Sequence, residues 1–167
     1  MDLAKPTYQD ADLILRLYDM RREELLRKAR KWFSSELKAK TVNEFKAQCP
    51  PGSDANAFFR QVTSYWDMVA ALVLQGVLNE ELFFSTTGEH IGVWMAVEPW
   101  IGQLREERKN PRYMGQIEEL VRRHMAWRQR KLAQPITPAA AKPRAKVTKP
   151  GRAAKPVKAV RRTGRGR

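Results

Sequence analysis

The chain has 167 residues, a single cysteine and a formal net charge of +14. One cysteine excludes an internal disulfide framework and a zinc site built from cysteines. All 18 acidic residues precede Arg128, as do 18 of the 32 lysines and arginines, so residues 1–127 are formally neutral and residues 128–167 hold the whole excess. Such asymmetry marks a polycationic appendage on an ordinary globular body.

The opening MDLAKPTYQDAD is polar and acidic, which does not fit a secretory signal. Thr7 followed by Asp10 resembles a capping box. After it Leu13, Ile14, Leu17, Tyr18, Leu25, Ala29, Trp32 and Phe33 recur at helical spacing. The pattern predicts one long helix from about Tyr8 to about Leu37, with surface pairs Asp12/Arg16, Glu23/Arg27 and Glu24/Lys28. The cluster Arg27, Lys28, Arg30 and Lys31 reads as a solvated face in preference to a phosphate contact.

Thr41 and Glu44 form a second capping box, opening a short helix that ends near Gln48. After the break at Pro50-Pro51-Gly52, Ser53 or Asp54 caps a helix running to about Gln75, stopped by Gly76. Phe58, Phe59, Val62, Tyr65, Trp66, Val69, Leu72 and Val73 make it apolar over most of its circumference, so it is the expected centre of the core. Its polar stripe holds Arg60, Ser64 and Asp67. The longest apolar stretch, Met68 to Leu78, falls short of the ~20 residues that a membrane span needs.

Asn79 caps a short helix from Glu80 to about Phe84. A further helix follows Thr87-Gly88 and ends near Lys109, with a kink expected at Pro99. Gly88, Gly92 and Ala96 mark a flat face suited to close helix approach. Asn110-Pro111 predicts the start of a last helix reaching about Leu132, with Glu118/Arg122 and Glu119/Arg123 as surface pairs. No segment alternates with a period of two. Residues 1–133 are expected to form one all-α, bundle-like domain of about five or six helices.

Residues 134–167 contain no aromatic residue, five prolines and few large apolar groups. That composition cannot offset the entropy of ordering, so a disordered tail is expected. Two related stretches, AKPRAKV from Ala141 and AKPVKAV from Ala154, precede the terminal RRTGRGR.

Three segments carry a family resemblance: MRREELLRKARKWFSSEL from Met20, FRQVTSYWDMVAALVLQGVLNEELFF from Phe59, and GEHIGVWMAVEPWIGQLREERKNPRYMGQIEEL from Gly88. Together they resemble the family catalogued as domain of unknown function 4760, over roughly Leu13 to Arg123. The resemblance implies an all-helical fold and a bacterial source. It carries no established activity, so it assigns no functional residue.

Candidate chemistry is sparse. The paired Glu-x-x-His motifs of two-metal helical bundles are absent, because Thr87 and Val121 stand three residues before His90 and His124. Glu89 reads as a first-turn acid favoured by the helix dipole, and His124 as a packing residue in line with Ile117, Leu120 and Val121. Asp67 reads as an acid hydrogen-bonded to a neighbour. Cys49 reads as a helix end. No enzyme, metal or cofactor is expected.

The site expected from sequence is the tail: Lys142, Arg144, Lys146, Lys149, Arg152, Lys155, Lys158, Arg161, Arg162, Arg165 and Arg167. These would bind nucleic acid without sequence specificity, by releasing counterions from the phosphate backbone. A cytoplasmic, nucleoid-associated location goes with that reading. The alternative is a helical module that binds a protein partner, its tail only adhering to RNA, ribosomes or an anionic membrane surface.

Overall fold

The fold is seen in a computed structural model that describes residues 5–133. Among the described residues there are seven α-helices and no strand. They are α1 (Tyr8–Met20), α2 (Glu24–Ser35), α3 (Val42–Gln48), α4 (Asp54–Leu74), α5 (Glu80–Thr86), α6 (Glu89–Glu107) and α7 (Gly115–Ala133). The domain is all-α, with seven helices against the five or six expected.

The extra helix arises because the long first helix is two. α1 opens on the Thr7/Asp10 box, in which the Asp10 carboxylate accepts from the Thr7 backbone at 2.7 Å and from its hydroxyl at 2.6 Å. The same carboxylate accepts the Asn79 N–H at 2.7 Å, tying α1 to the start of α5. α1 ends at Met20, and the Glu23 carboxylate then accepts from Leu25 N–H (3.0 Å) and Leu26 N–H (2.8 Å). Glu23 is therefore the N-cap of α2, not the surface partner of Arg27. Two charge-assisted bonds to orphan backbone donors, helped by the dipole, outweigh a solvent-screened exposed pair. The break also redistributes the core. Leu26, Ala29, Trp32 and Phe33 are buried, whereas Leu25 and Tyr18 are half exposed.

α4 is the organising helix, packing against α2, α5, α6 and α7. Ser53 caps it through the Asn56 N–H at 3.1 Å. It ends in a Schellman turn, with Gly76 at φ +73°, Gly76 N–H on Val73 C=O and Val77 N–H on Leu72 C=O, both 3.0 Å. Phe59 and Trp66 on α4 are 1% exposed. Phe59 meets Phe45 of α3 at 4.6 Å between ring centroids, and Phe45 stacks on Trp100 of α6 at 4.5 Å. The Trp100 indole donates to Ala39 C=O at 3.2 Å, which satisfies its one polar atom.

α6 runs through Pro99 and closes with the same pair of terminal bonds, from Lys109 to Glu106 and from Asn110 to Arg105. Here Lys109, at φ +51°, occupies the left-handed position that glycine fills after α4. The expected start of α7 at Asn110-Pro111 is wrong. Asn110 accepts from Arg112 and Tyr113 in a tight turn, Met114 adopts φ +57°, and α7 begins only at Gly115. Its first-turn donor Ile117 N–H is taken by the Asp67 carboxylate of α4 at 3.1 Å. The cap comes from across the core, so local signals misplaced the helix start. The Glu118/Arg122 pair is also replaced: Glu118 binds Arg105 at 2.7 Å, while Glu119 holds both Arg122 and Arg123.

Candidate functional site

Glu89, the first residue of α6, is held by two guanidinium groups. Arg30 of α2 donates from Nε to Oε1 at 2.6 Å and from Nη2 to Oε2 at 2.5 Å, a bidentate grip. Arg21, just past α1, also donates from Nη2 to Oε2. Burial pushes the Glu89 carboxyl up, but the bonds and charges of Arg30 and Arg21 outweigh it and hold the group below its ordinary range. Arg30 is correspondingly raised, chiefly by its bonds to Glu89. It leaves the solvated basic face on which the sequence placed it. Glu89 gains two ion pairs in addition to the dipole position expected for it. Two cations against one carboxylate leave this cluster with one net positive charge.

The next residue, His90, lies about 100° further round α6. His90 Nε2 and His124 Nδ1 of α7 lie 3.0 Å apart, and both side chains are fully buried. One of these nitrogens carries the shared hydrogen and the other must be a bare acceptor, so the two rings cannot both be protonated while the contact lasts. Burial, then the neighbouring His124 and Arg128, pushes His90 down to about 3. Burial and Arg128 push His124 down to about 4. Aromatic rings enclose the pair: Phe84 stacks on His124 at 4.3 Å, with Trp66, Phe83 and Trp127 around it. His124 is thus a packing residue, and its main partner is the other histidine. Sequence reasoning missed the pairing. The signal was there, since both histidines sit on apolar faces of neighbouring long helices.

Two grooves adjoin the Glu89 cluster. One, of about 260 Å³, lies between α1 and the corner of α4 and α5 and includes Arg21, Tyr65 and Trp66. The other, of about 640 Å³, runs along α2 and α6 and includes Arg27, Arg30 and Lys31 on one wall with Gly92 and Ala96 on the other. The small-residue face of α6 therefore does not receive a close helix. A side chain at Gly92 would meet nothing within 4 Å, and at Gly88 it would meet only the Arg128 guanidinium, at 3.0 Å.

The remaining candidates are structural in their contacts. Asp67 caps α7. Cys49 is buried, and burial pushes its thiol up to about 11, so it remains protonated at neutral pH. Among the described residues, no three or more His, Cys, Asp and Glu side chains gather in a way that could hold a metal ion. Also among them, no helix is long and apolar enough to cross a membrane. The eleven cations expected to bind nucleic acid, Lys142, Arg144, Lys146, Lys149, Arg152, Lys155, Lys158, Arg161, Arg162, Arg165 and Arg167, all lie outside the described residues.

The family described as Domain of unknown function (DUF4760) matches residues 6–124. No curated protein and no solved structure matches the chain.

Proposed function

The chain belongs to the DUF4760 family, matched over residues 6–124 and so ending before the charge imbalance that begins at Arg128, and we propose that it binds nucleic acid through the lysines and arginines of residues 134–167. The observation that supports this reading is the partition of charge. Within the domain, nine cationic side chains are matched to carboxylates: Arg16, Arg21, Lys28, Arg30, Lys46, Arg105, Arg122, Arg123 and Lys131. From Arg128 onward the sequence holds no Asp or Glu at all. Of the described residues in that stretch Lys131 alone is paired, to Glu81, and a phosphate backbone offers counter-charge for the remainder at high density. In this reading the formally neutral residues 1–127 are the body of a binder and not of an enzyme.

A second reading has its own observation. Met20, Leu25 and Met68 are 41–50% exposed, and Met20 and Met68 line a groove of about 500 Å³ with Leu26 and Tyr65. Flexible methionines around a groove suit an adaptable contact with a protein partner. The two readings separate in one experiment. The full chain and a chain ending at Ala133 are used as bait in cell extract, with and without nuclease. Nuclease-sensitive capture that needs residues 134–167 is the expected result; equal, nuclease-resistant capture of one protein by both chains would favour the partner reading.

A further inference from the structure

α2 and α6 both pack on α4 and leave between them the groove of about 640 Å³. Its floor is apolar, made by Phe33 of α2, Leu37 just beyond that helix, Val62 of α4 and Val93 of α6, all buried. Two helices laid on a third with a gap between them form a berth for one more. From Arg27 to Ser34 the trough follows α2 for about two turns, roughly 11 Å, so an incoming helix of three or four turns spans it. Its rims are open, since Arg27, Lys31, Ser34 and Gly92 are exposed. Small ligands take sites that enclose most of their surface, which this trough does not do. An amphipathic helix needs only one face covered.

The α6 wall is low. Gly92 and Ala96 stand one turn apart on it. Glycine weakens a helix interior, and nothing inside the domain demands it at position 92. A side-chain carbon there would meet no atom within 4 Å, and the backbone is not left-handed. The space belongs to the trough and lets a second helix approach closely.

The α2 wall is cationic. Arg30 is spent on Glu89, but Arg27 and Lys31, also one turn apart, form no ion pair among the described residues. The acids of the first turn of α2 are engaged elsewhere, Glu23 as its cap and Glu24 with Lys28 at 2.7 Å. The lining thus holds three cations against one carboxylate, Glu89, which two guanidinium groups already hold. That charge selects the occupant. Residues 134–167, with eleven cations and no acid, are repelled. A second copy placed by a two-fold axis on this groove would set the cationic wall against itself. We propose that the trough binds an amphipathic helix of another protein, its apolar face on Phe33, Val62 and Val93. Carboxylates three or four residues apart on one edge of that helix meet Arg27 and Lys31. The proposal does not depend on the nucleic-acid reading.

The test titrates the full chain, by fluorescence anisotropy, into three labelled helical peptides of about 16 residues. One carries a leucine stripe flanked by glutamates, the second the same stripe flanked by lysines, and the third the glutamates with alanine in place of leucine. The third reports whatever residues 134–167 contribute by charge alone. The glutamate–leucine peptide should bind with a Kd of about 1–100 µM and at least about tenfold more tightly than either other peptide. Gly92→Leu fills the trough and favours the helix, so it should weaken that peptide at least about tenfold without lowering Tm or altering binding of the alanine peptide. Arg27→Gln with Lys31→Gln should weaken it at least about fivefold. If Gly92→Leu does not fold, the exposed double substitution decides. Binding of the glutamate–leucine peptide that survives either change, equal binding of the lysine peptide, or no binding up to about 1 mM would each overturn the assignment. So would a dimer of the full chain that Gly92→Leu dissociates, because a second copy would then fill the trough.

Discussion

The domain and the segment that follows it use positive charge in opposite ways. Around Glu89, each charge has an assigned partner at a set distance: Arg30 grips both oxygens, and Arg21 takes one of them. In residues 134–167, eleven cations share no acid at all, and two related stretches repeat the same Lys-Pro spacing. Charge in the domain is therefore geometric, and a single substitution there should be expensive. Charge in the segment is proposed to be additive, so a single substitution there should cost little.

The largest effect is expected at Glu89. Glu89→Gln leaves two largely covered guanidinium groups facing no counter-charge. Breaking a buried pair costs about 3–5 kcal/mol, and the partial exposure of this one lowers the expectation to about 2–3 kcal/mol. Urea denaturation measures it, and a change below ~0.5 kcal/mol would put Glu89 among ordinary surface acids.

Next comes the histidine pair, where the prediction concerns pH. The folded-state values of about 3 and about 4 lie below the ordinary histidine value of 6.5. The unfolded chain therefore takes up protons first as pH falls. The pair's contribution is complete well above pH 6.5 and is lost progressively as pH falls through 6.5 toward about 3. Replacing His90 and His124 together by Gln and Leu should flatten that part of the curve while leaving nucleic-acid binding at pH 7.5 unchanged. A stability curve with no slope between pH 6.5 and 4.5 contradicts the burial of two neutral rings.

A smaller effect is expected at Asp67. Asp67→Ala removes the acceptor for Ile117 N–H at the start of α7 and should cost about 1 kcal/mol. Amide exchange at Ile117 should accelerate more than exchange in the middle of α4. The smallest effect belongs to the other region. Lys146→Ala should reduce duplex affinity by less than about threefold and lower the salt slope by less than ~1. A loss of about a hundredfold from this one residue would mean that the segment, too, works through assigned partners.

What could be read from the sequence follows the same division between local and distant causes. The caps at Thr7, Thr41, Ser53 and Asn79 and the Gly76 stop were legible, because each acts within four residues of itself. The break before α2 was not, because Glu23 serves equally well on paper as a cap or as a partner for Arg27. The start of α7 was hidden by a cap supplied from Asp67 on α4. The candidate site was legible by half. Glu89 and both histidines stood out, but the Arg21–Glu89–Arg30 cluster and the His90–His124 contact join residues 34 to 68 positions apart. The groove beside Arg21 had no sequence signal at all, since its walls come from three helices that each look like plain core.

The most direct test of additive charge is a fluorescence-anisotropy salt titration on two unrelated duplexes of equal length, with the full chain and a chain ending at Ala133. If about half of the eleven cations engage phosphates at once, log affinity should fall against log salt with a slope of about −5. The two duplexes should bind within a few-fold of each other, and the chain ending at Ala133 should show no comparable binding. Binding that persists in the shorter chain, that ignores salt, or that favours one duplex by more than about a hundredfold would contradict the account.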